Sequence, residues 1–177
     1  VEKTTNGGTN WTNISSGIRQ DLQSVYFISD STGWVAGDAN ALFKTTNSGT
    51  TWTTLSGPFY SQRDLHFVDA NTGWVVGLSG SISKTTDGGT NWNSQTSNTF
   101  NVLLDVTFTN STTGWIVGES GVVRYTSDGG SNWVSQTSGT GNNLNAVYFV
   151  NSTTGWISGS SGTIVKTTDG GSNWITQ

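Results

Sequence analysis

The chain has little of what most catalytic and metal sites are built from. Its 177 residues include no cysteine and one histidine, His66. The lack of cysteine excludes a thiol nucleophile, a disulfide framework and a thiolate metal site, and a single histidine excludes a multi-histidine metal site. Neither a GxSxG nucleophile elbow nor a GxxxxGK phosphate loop occurs. We therefore expect no cofactor, no metal and no enzymatic activity.

Charge is also scarce. Only 10% of the residues are charged, against about a quarter in an average soluble domain. The net charge of -4 argues against a nucleic-acid partner, which requires basic patches. No apolar run approaches the ~18 residues of a membrane span, so we expect no membrane insertion. Few lysines with abundant Thr, Asn and Gly are typical of exported bacterial proteins, which predicts a secreted or cell-surface location.

Tryptophan is abundant by contrast, and its nine copies recur at two positions of one repeated unit. Four follow a glycine at nearly equal intervals: Trp34, Trp74, Trp115 and Trp156. Five close a turn-like octamer that recurs with the same period: Trp11, Trp52, Trp92, Trp133 and Trp174. A period of about 41 residues without a long helical pattern is typical of a β-propeller, whose units bury their faces against one another.

Each unit contains four short strand patterns. In the first full unit, these patterns predict strands over 22–27, 33–37 and 41–45, and an octamer at 45–52 that leads into a fourth strand. We therefore predict an all-β fold, a β-propeller of four-stranded antiparallel blades with four full blades plus a half-blade. Within residues 1–177 the predicted units are an outer hairpin of an incomplete blade and four blades: 1–14, 15–55, 56–96, 97–137 and 138–177.

The octamer has residue types that favour a tight turn. Its third residue is always Asn or Asp, whose side chain accepts hydrogen bonds from backbone N–H groups two residues onward. Its fifth residue is always Gly, which suits a positive φ. A buried Trp at the eighth position removes about 150–250 Å² from water. We predict structural roles for the third and eighth residues of all five copies: Asn6, Asn47, Asp87, Asp128, Asp169, Trp11, Trp52, Trp92, Trp133 and Trp174.

The octamer Thr-Thr-Asp-Gly-Gly-Thr-Asn-Trp at residues 85–92, with its four copies, resembles the Asp-box of sialidase-type propellers. Together with Leu-x-x-Val-x-Phe and Gly-Trp-x-x-Gly, the unit resembles the BNR-like repeat of the photosystem II assembly and stability factor type. Such repeats also occur in exported bacterial proteins, and the resemblance implies a propeller fold while leaving the function open. The chain departs from the pattern at Asn6 and Asn47, which replace Asp, and at Gln62, which replaces Leu.

The two ends of the chain do not complement each other, because residues 1–14 and the last unit both end in an outer strand pair. Three interpretations stay open. The chain is a segment of a longer propeller of about six to eight blades, a ring of five with a reduced first blade, or an open array completed by other copies. Because the first residue is Val1, we also expect that an export signal or further repeats precede it.

The arginines do not fit the pattern of a sialidase. Sialidases resemble one another in binding a substrate carboxylate with three arginines. Here Arg124 lies on a different strand of its unit from Arg19 and Arg63, and the Phe/Tyr-Arg-Ile-Pro motif is absent. Four acids near strand ends are candidates for a glycosidase pair or are solvated loop carboxylates: Asp38, Asp64, Asp105 and Glu119. His66 shares its repeat position with two tyrosines and a threonine, which predicts packing. Each octamer supplies too few oxygen ligands for calcium.

The variable loops between units indicate binding. They contain aromatic and cationic residues that the repeat does not require: Arg19, Phe59, Tyr60, Arg63 and Phe100. Exposed aromatics with arginine mark interaction surfaces. The alternative is that Phe59 and Phe100 fill the seam between neighbouring blades.

These observations predict an exported, non-enzymatic propeller module that serves as a binding or structural scaffold at the bacterial surface, with a protein or glycan ligand. The alternatives are a carbohydrate-active enzyme, either a glycoside hydrolase or a lyase, and an assembly factor for a membrane complex. Further blades of a longer chain, or other copies of this one, are also candidate partners.

Overall fold

The computed structural model describes residues 1–14, 17–57 and 61–177. Within these ranges the chain forms one two-stranded and four four-stranded antiparallel sheets, and no helix is long and apolar enough to cross a bilayer. The hairpin sheet contains β1 (Glu2–Lys3) and β2 (Thr12–Asn13). The first sheet contains β3 (Leu22–Phe27), β4 (Gly33–Gly37), β5 (Leu42–Thr45) and β6 (Thr53–Thr54).

The remaining sheets repeat the same order along the chain. The second sheet contains β7 (Gln62–Phe67), β8 (Gly73–Gly77), β9 (Ile82–Thr85) and β10 (Asn93–Gln95). The third sheet contains β11 (Leu103–Phe108), β12 (Gly114–Gly118), β13 (Val122–Thr126) and β14 (Val134–Thr137). The fourth sheet contains β15 (Leu144–Phe149), β16 (Gly155–Gly159), β17 (Ile164–Thr167) and β18 (Ile175–Thr176). In every sheet each strand pairs with its neighbours in sequence. The predicted all-β fold of four-stranded antiparallel sheets is therefore confirmed.

The tryptophan of each Gly-Trp pair makes the contacts that join a sheet to the next one. Trp74 of the second sheet stacks on Phe108 of the third, with ring centroids 3.6 Å apart and an interplanar angle of 11°. Its Nε1 donates to the carbonyl oxygen of Gly129 at 3.2 Å. Lys84 lies with Nζ 5.0 Å from the Trp74 ring centroid and donates to the same oxygen at 3.1 Å. A buried aromatic stack and a shared acceptor thus hold the two sheets together.

The same joint recurs between the other full sheets. Trp34 stacks on Phe67 at 3.7 Å, and Trp115 stacks on Phe149 at 3.5 Å. These two indole N–H groups also donate to carbonyl oxygens of the following octamer, at 3.1 Å in each case. The three glycine-linked tryptophans that have a following sheet are completely buried. The repeat therefore places most of its apolar core between sheets.

The hydrogen bonds that close the octamer turn differ from those predicted from the sequence. Asp87 Oδ1 accepts its backbone hydrogen bond from Asn91, four residues onward, at 2.9 Å. The prediction of a bond from two residues onward is wrong for this side chain, and Thr85 Oγ1 instead accepts the N–H of Asp87, at 3.3 Å. The cause is that Gly88 and Gly89 both have positive φ, 71° and 96°. Two consecutive left-handed residues coil the chain back over the carboxylate.

The octamer tryptophans differ in burial although they share one sequence position. Trp133 is 4% exposed, whereas Trp11 is 59% exposed. Trp133 packs edge-on against Phe108, with ring centroids 5.9 Å apart. The hairpin sheet has two strands within the described residues and offers Trp11 no equivalent phenylalanine. Burial of this position therefore depends on the inner strands of its own sheet. The prediction that the eighth residue of the octamer is buried does not hold for Trp11.

Candidate functional site

Two sets of loops meet on one side of the sheets. The loops that lead into each first strand contact the loops that follow each second strand, as in the hydrogen bond from the N–H of Glu119 to the carbonyl oxygen of Val102 at 2.9 Å. The equivalent bond from Ser160 to Asn143 is 2.8 Å long. A side chain in place of Gly121, where φ is 73°, would collide with the carbonyl oxygen of Thr140. We call this surface the loop face; it comprises residues 17–21, 38–41, 78–81, 96–102, 119–121, 138–143 and 160–163.

Phe100 is the most exposed large apolar residue of the loop face. Its side chain is 92% exposed. It lies in the loop of residues 96–102, whose first part is held by the buried side chain of Arg124. The guanidinium donates through Nε to the carbonyl oxygen of Ser97 at 2.7 Å, and through a terminal nitrogen to that of Asn98 at 3.1 Å. The interpretation that Phe100 fills the seam between units is therefore wrong, because its side chain is almost fully exposed. Sequence reasoning missed the role of Arg124, because the same repeat position holds Phe43, Ser83 and Val165 in the other sheets and indicates no loop contact.

Arg124→Lys should loosen this loop selectively. An ammonium group cannot reproduce the forked contacts of a guanidinium with two carbonyl oxygens. We expect amide hydrogen exchange of residues 98–101 to accelerate about tenfold, equivalent to about 1–2 kcal/mol of local stability. The corresponding loop at 138–142 is a control within the same molecule, because Ser138 holds it through Oγ and the carbonyl oxygen of Gly121 at 2.9 Å. Equal acceleration in both loops would contradict the role of Arg124 as a clamp.

The two arginines predicted for binding lie in different surroundings. Arg63 forms an ion pair with Asp38, with nitrogen and oxygen 3.2 Å apart, which links the first and second sheets. Arg19 lies on the loop face with an exposed side chain. Arg19 occupies the same repeat position as Phe100, three residues before the first strand of its sheet. Phe59, at the same repeat position, and its neighbour Tyr60 lie outside the described residues.

Asp64 and Asp105 form a carboxyl pair at the inner edge of the first strands. Asp64 accepts hydrogen bonds from Ser24 Oγ at 2.6 Å and from the Val106 N–H of the next sheet at 3.0 Å. Asp105 accepts the Val147 N–H of the sheet after that at 2.6 Å. Burial, with a hydrogen bond to Asp64 and its charge, raises the pKa of Asp105 to about 9. Asp105 therefore keeps its proton at neutral pH and can donate a hydrogen bond to Asp64.

This pair does not have glycosidase geometry. Glycosidase carboxyls stand about 5–10 Å apart so that a sugar and a water fit between them. Asp64 and Asp105 hydrogen-bond to each other, and each also accepts a backbone N–H of the following sheet. Of the other two predicted acids, Asp38 is occupied by Arg63 and by Gln23 Nε2 at 3.1 Å. Glu119 lies on the loop face, half-buried. Of the four predicted acids, two therefore link neighbouring sheets and two lie in loops.

His66 packs between rings of neighbouring sheets. Its ring centroid lies 4.9 Å from that of Tyr26 and 6.3 Å from that of Phe108. Burial lowers its pKa, against the opposing charge of Asp64 and a hydrogen bond with the backbone of Phe108. Within the part of the chain that the structure describes, no three His, Asp or Glu side chains are grouped so that they could hold a metal ion.

With this geometry established, the chain can be compared with known proteins. Residues 91–176 match the family model of the photosynthesis system II assembly factor YCF48. No curated protein matches the sequence. An ancestral GH74 enzyme is similar in structure, with a TM-score of 0.74 at 21% identity over 88% of this chain and 24% of the enzyme. This chain thus spans about a quarter of that enzyme's length.

Two structures of YCF48 are similar over most of both chains. YCF48 bound to a D1 peptide has a TM-score of 0.59 at 15% identity, over 94% of this chain and 84% of that one. YCF48 from Cyanidioschyzon merolae has a TM-score of 0.59 at 15% identity, over 89% and 85%. At these identities the likeness shows the fold. Residues 91–176 therefore contain BNR-like repeats, and the described chain shares its propeller-like fold with the two YCF48 structures.

Proposed function

We propose that the chain is a non-enzymatic binding module that recognises a protein ligand, in the form of an extended peptide, on the loop face. The observation that carries the proposal is Phe100, an aromatic side chain held in solvent on a loop that Arg124 fixes. An exposed apolar group on a rigid support gains contact area on binding and loses little conformational entropy. Arg19, at the equivalent position of another loop, supplies a cation for a ligand carboxylate.

The similarity to YCF48 supports a peptide as the ligand class. One of the similar YCF48 structures is bound to a D1 peptide, so a propeller of this repeat type accommodates a protein segment. The composition of the chain supports export and a location at the bacterial surface, as a scaffold that presents the loop face.

A carbohydrate-active enzyme is the second candidate, because the GH74 enzyme has a similar fold. The hydrogen-bonded pair of Asp64 and Asp105 argues against it. Incubation with soluble plant polysaccharides and assay of reducing ends distinguishes the two. We expect no release of reducing ends, and release that Asp64→Asn abolishes would establish the enzyme instead.

Selection from a phage-displayed random peptide library tests the proposal. We expect enriched peptides with an apolar residue, and at least tenfold weaker binding by the Phe100→Ala variant. Tyr148→Ala is the matched control, because Tyr148 is 65% exposed on β15, outside the loop face. Its binding should stay unchanged, and both variants should melt like the parent chain. A glycan array run in parallel addresses the other ligand class.

Three outcomes contradict the proposal. The first is that the selected peptides bind the Phe100→Ala variant and the parent equally. The second is that the selection enriches no peptide. The third is that only glycans bind in a manner that depends on Phe100. Phe59→Ala and Tyr60→Ala extend the test to the predicted binding residues outside the described ranges, and we expect each to weaken the same peptides.

A further inference from the structure

Two acidic side chains occupy the same repeat position on the loop face, and they differ in whether the protein pairs them. The residue that follows each Gly-Trp-x-x-Gly frame is, in chain order, Asp38, Leu78, Glu119 and Ser160. Its N–H donates in every sheet to the carbonyl oxygen of the residue that precedes the first strand, at 2.8 to 3.2 Å. Asp38 is already paired, because Arg63 lies 3.2 Å from its carboxylate and Gln23 Nε2 lies 3.1 Å from it.

Glu119 is the acid at this repeat position that has no partner. Within the ranges that the structure describes, its carboxylate accepts no hydrogen bond and forms no ion pair. The residue is nevertheless half-buried. A carboxylate that has lost part of its hydration without gaining a cation is stabilised by a cation that a ligand supplies. Glu119 is therefore available to a positively charged group.

The backbone of Glu119 is fixed beside the loop that contains Phe100. Its N–H donates to the carbonyl oxygen of Val102 at 2.9 Å, and its carbonyl oxygen accepts from Asn101 Nδ2 at 3.4 Å. On the other side, the N–H of the following residue donates to Asn143 Oδ1 at 3.0 Å. The acid is thus held between two loops of the loop face, next to the most exposed aromatic side chain.

Arg124 does not neutralise this acid. Its guanidinium donates to the carbonyl oxygens of Ser97 and Asn98, which precede Phe100 in the loop. Glu119 instead contacts the residues that follow Phe100. Arg124 is 8% exposed and pairs with no carboxylate in the described part of the chain. The loop therefore has a buried cation at its beginning and an unpaired acid beside its end.

We propose that Glu119 determines the specificity of the loop face by pairing with an arginine of the peptide ligand, an inference that rests on the binding function proposed above. A planar guanidinium binds a carboxylate through two parallel hydrogen bonds and is more weakly hydrated than an ammonium, which suits a half-buried acid. The net charge of -4 also attracts basic peptides.

The position of the arginine in the peptide follows from the distance between the two groups. The Cα atoms of Phe100 and Glu119 are at most about 12 Å apart, which is two residues of extended chain plus one spacing between paired residues. An extended peptide advances about 3.3 Å per residue. The arginine therefore lies within about four positions of the apolar residue that covers Phe100.

Phage selection on the parent, Glu119→Gln and Glu119→Arg proteins tests this pairing. We expect the parent to enrich peptides with an arginine within about four positions of an apolar residue. Glu119→Gln should keep the apolar residue and lose the arginine, and Glu119→Arg should select Asp or Glu in its place. Glu2→Gln is the matched control, because it removes the same charge from the exposed strand β1, outside the loop face. Its peptides should be those of the parent.

A fluorescein-labelled synthetic peptide from the parent selection then measures the pair by anisotropy. We expect binding about tenfold weaker with Glu119→Gln, about tenfold weaker when glutamine replaces the peptide's arginine, and little further loss when both are changed. All variants should melt like the parent, because the described contacts of Glu119 are made by its backbone.

The outcomes separate this inference from the binding function beneath it. Equal binding by Glu119→Gln and the parent, or Phe100-dependent peptides without arginine, would overturn the role of Glu119 and leave the loop face as a binding site. Peptides that bind independently of Phe100, or the enrichment of none, would overturn both.

Discussion

Replacing Trp74 with alanine should destabilise the chain by about 3–5 kcal/mol, whereas the same change at Trp156 should cost about 1 kcal/mol or less. Trp74 is completely buried, stacks on Phe108 at 3.6 Å and donates to the carbonyl oxygen of Gly129. Its removal leaves a cavity between two sheets and takes a hydrogen bond from that oxygen. Trp156 has the same place in the repeat, but it is half-buried and contacts the ammonium of Lys166 at 5.2 Å.

Urea unfolding of both variants measures the difference in free energy of unfolding. The Trp156 variant is the matched control, because the residue, the strand position and the preceding glycine are the same. Equal losses at the two positions would mean that stability resides within each sheet and that the joints contribute little. A change in the slope with urea concentration would instead indicate that one end of the array unfolds separately.

The strands can be predicted from the sequence because each strand pattern recurs in four or five copies of the repeat. The Gly-Trp-x-x-Gly frame marks β4, β8, β12 and β16, which begin and end at its two glycines. The nearly constant interval between these frames identifies the unit that must stack. The sequence does not show that Trp34, Trp74 and Trp115 stack on the phenylalanine of the next sheet, because that contact depends on the angle between sheets.

The candidate site is less predictable than the fold. Phe100 stands out in the sequence because the repeat does not require it, but periodicity leaves exposure and seam packing equally compatible with the pattern. The structure decides for exposure, since Phe100 is 92% exposed and the loop is held instead by hydrogen bonds from Arg124. Asp64 and Asp105 are brought together by a shift of register within each first strand, at residues 62–64 and 103–105. Such a bulge is a property of the backbone and has no residue signature here.

The carboxyl pair makes the stability of the chain depend on pH in an unusual direction. The pKa of Asp105 rises from 3.8, the ordinary value of an aspartate side chain, to about 9 in the folded chain. The folded state therefore keeps a proton that the unfolded state loses above pH 3.8. This contribution is complete below the ordinary pKa and is lost as the pH rises toward the folded pKa, so stability falls across the window from about pH 4 to about pH 9.

Between pH 5 and pH 9 we expect the parent chain to lose about 2 kcal/mol of stability through Asp105, below the limit of about 1.4 kcal/mol per pH unit that a fully buried carboxyl would set. Asp105→Asn should remove this loss, since an amide keeps the bond from the Val147 N–H and can donate to Asp64 without a titratable proton. Urea midpoints at pH 5, 7 and 9 measure the difference between the two proteins.

Asp69→Asn is the control for a change of charge alone. Asp69 accepts the N–H groups of Asn71 and Thr72, both at 2.7 Å, and these bonds lower its pKa. Its contribution is therefore present above the ordinary pKa, is lost only in acid and is constant from pH 5 to pH 9. His66, whose pKa is lowered by burial, adds a slope of opposite sign below about pH 6.5 in all three proteins. A pH profile of Asp105→Asn parallel to that of the parent would show that Asp105 does not keep a proton in the folded chain.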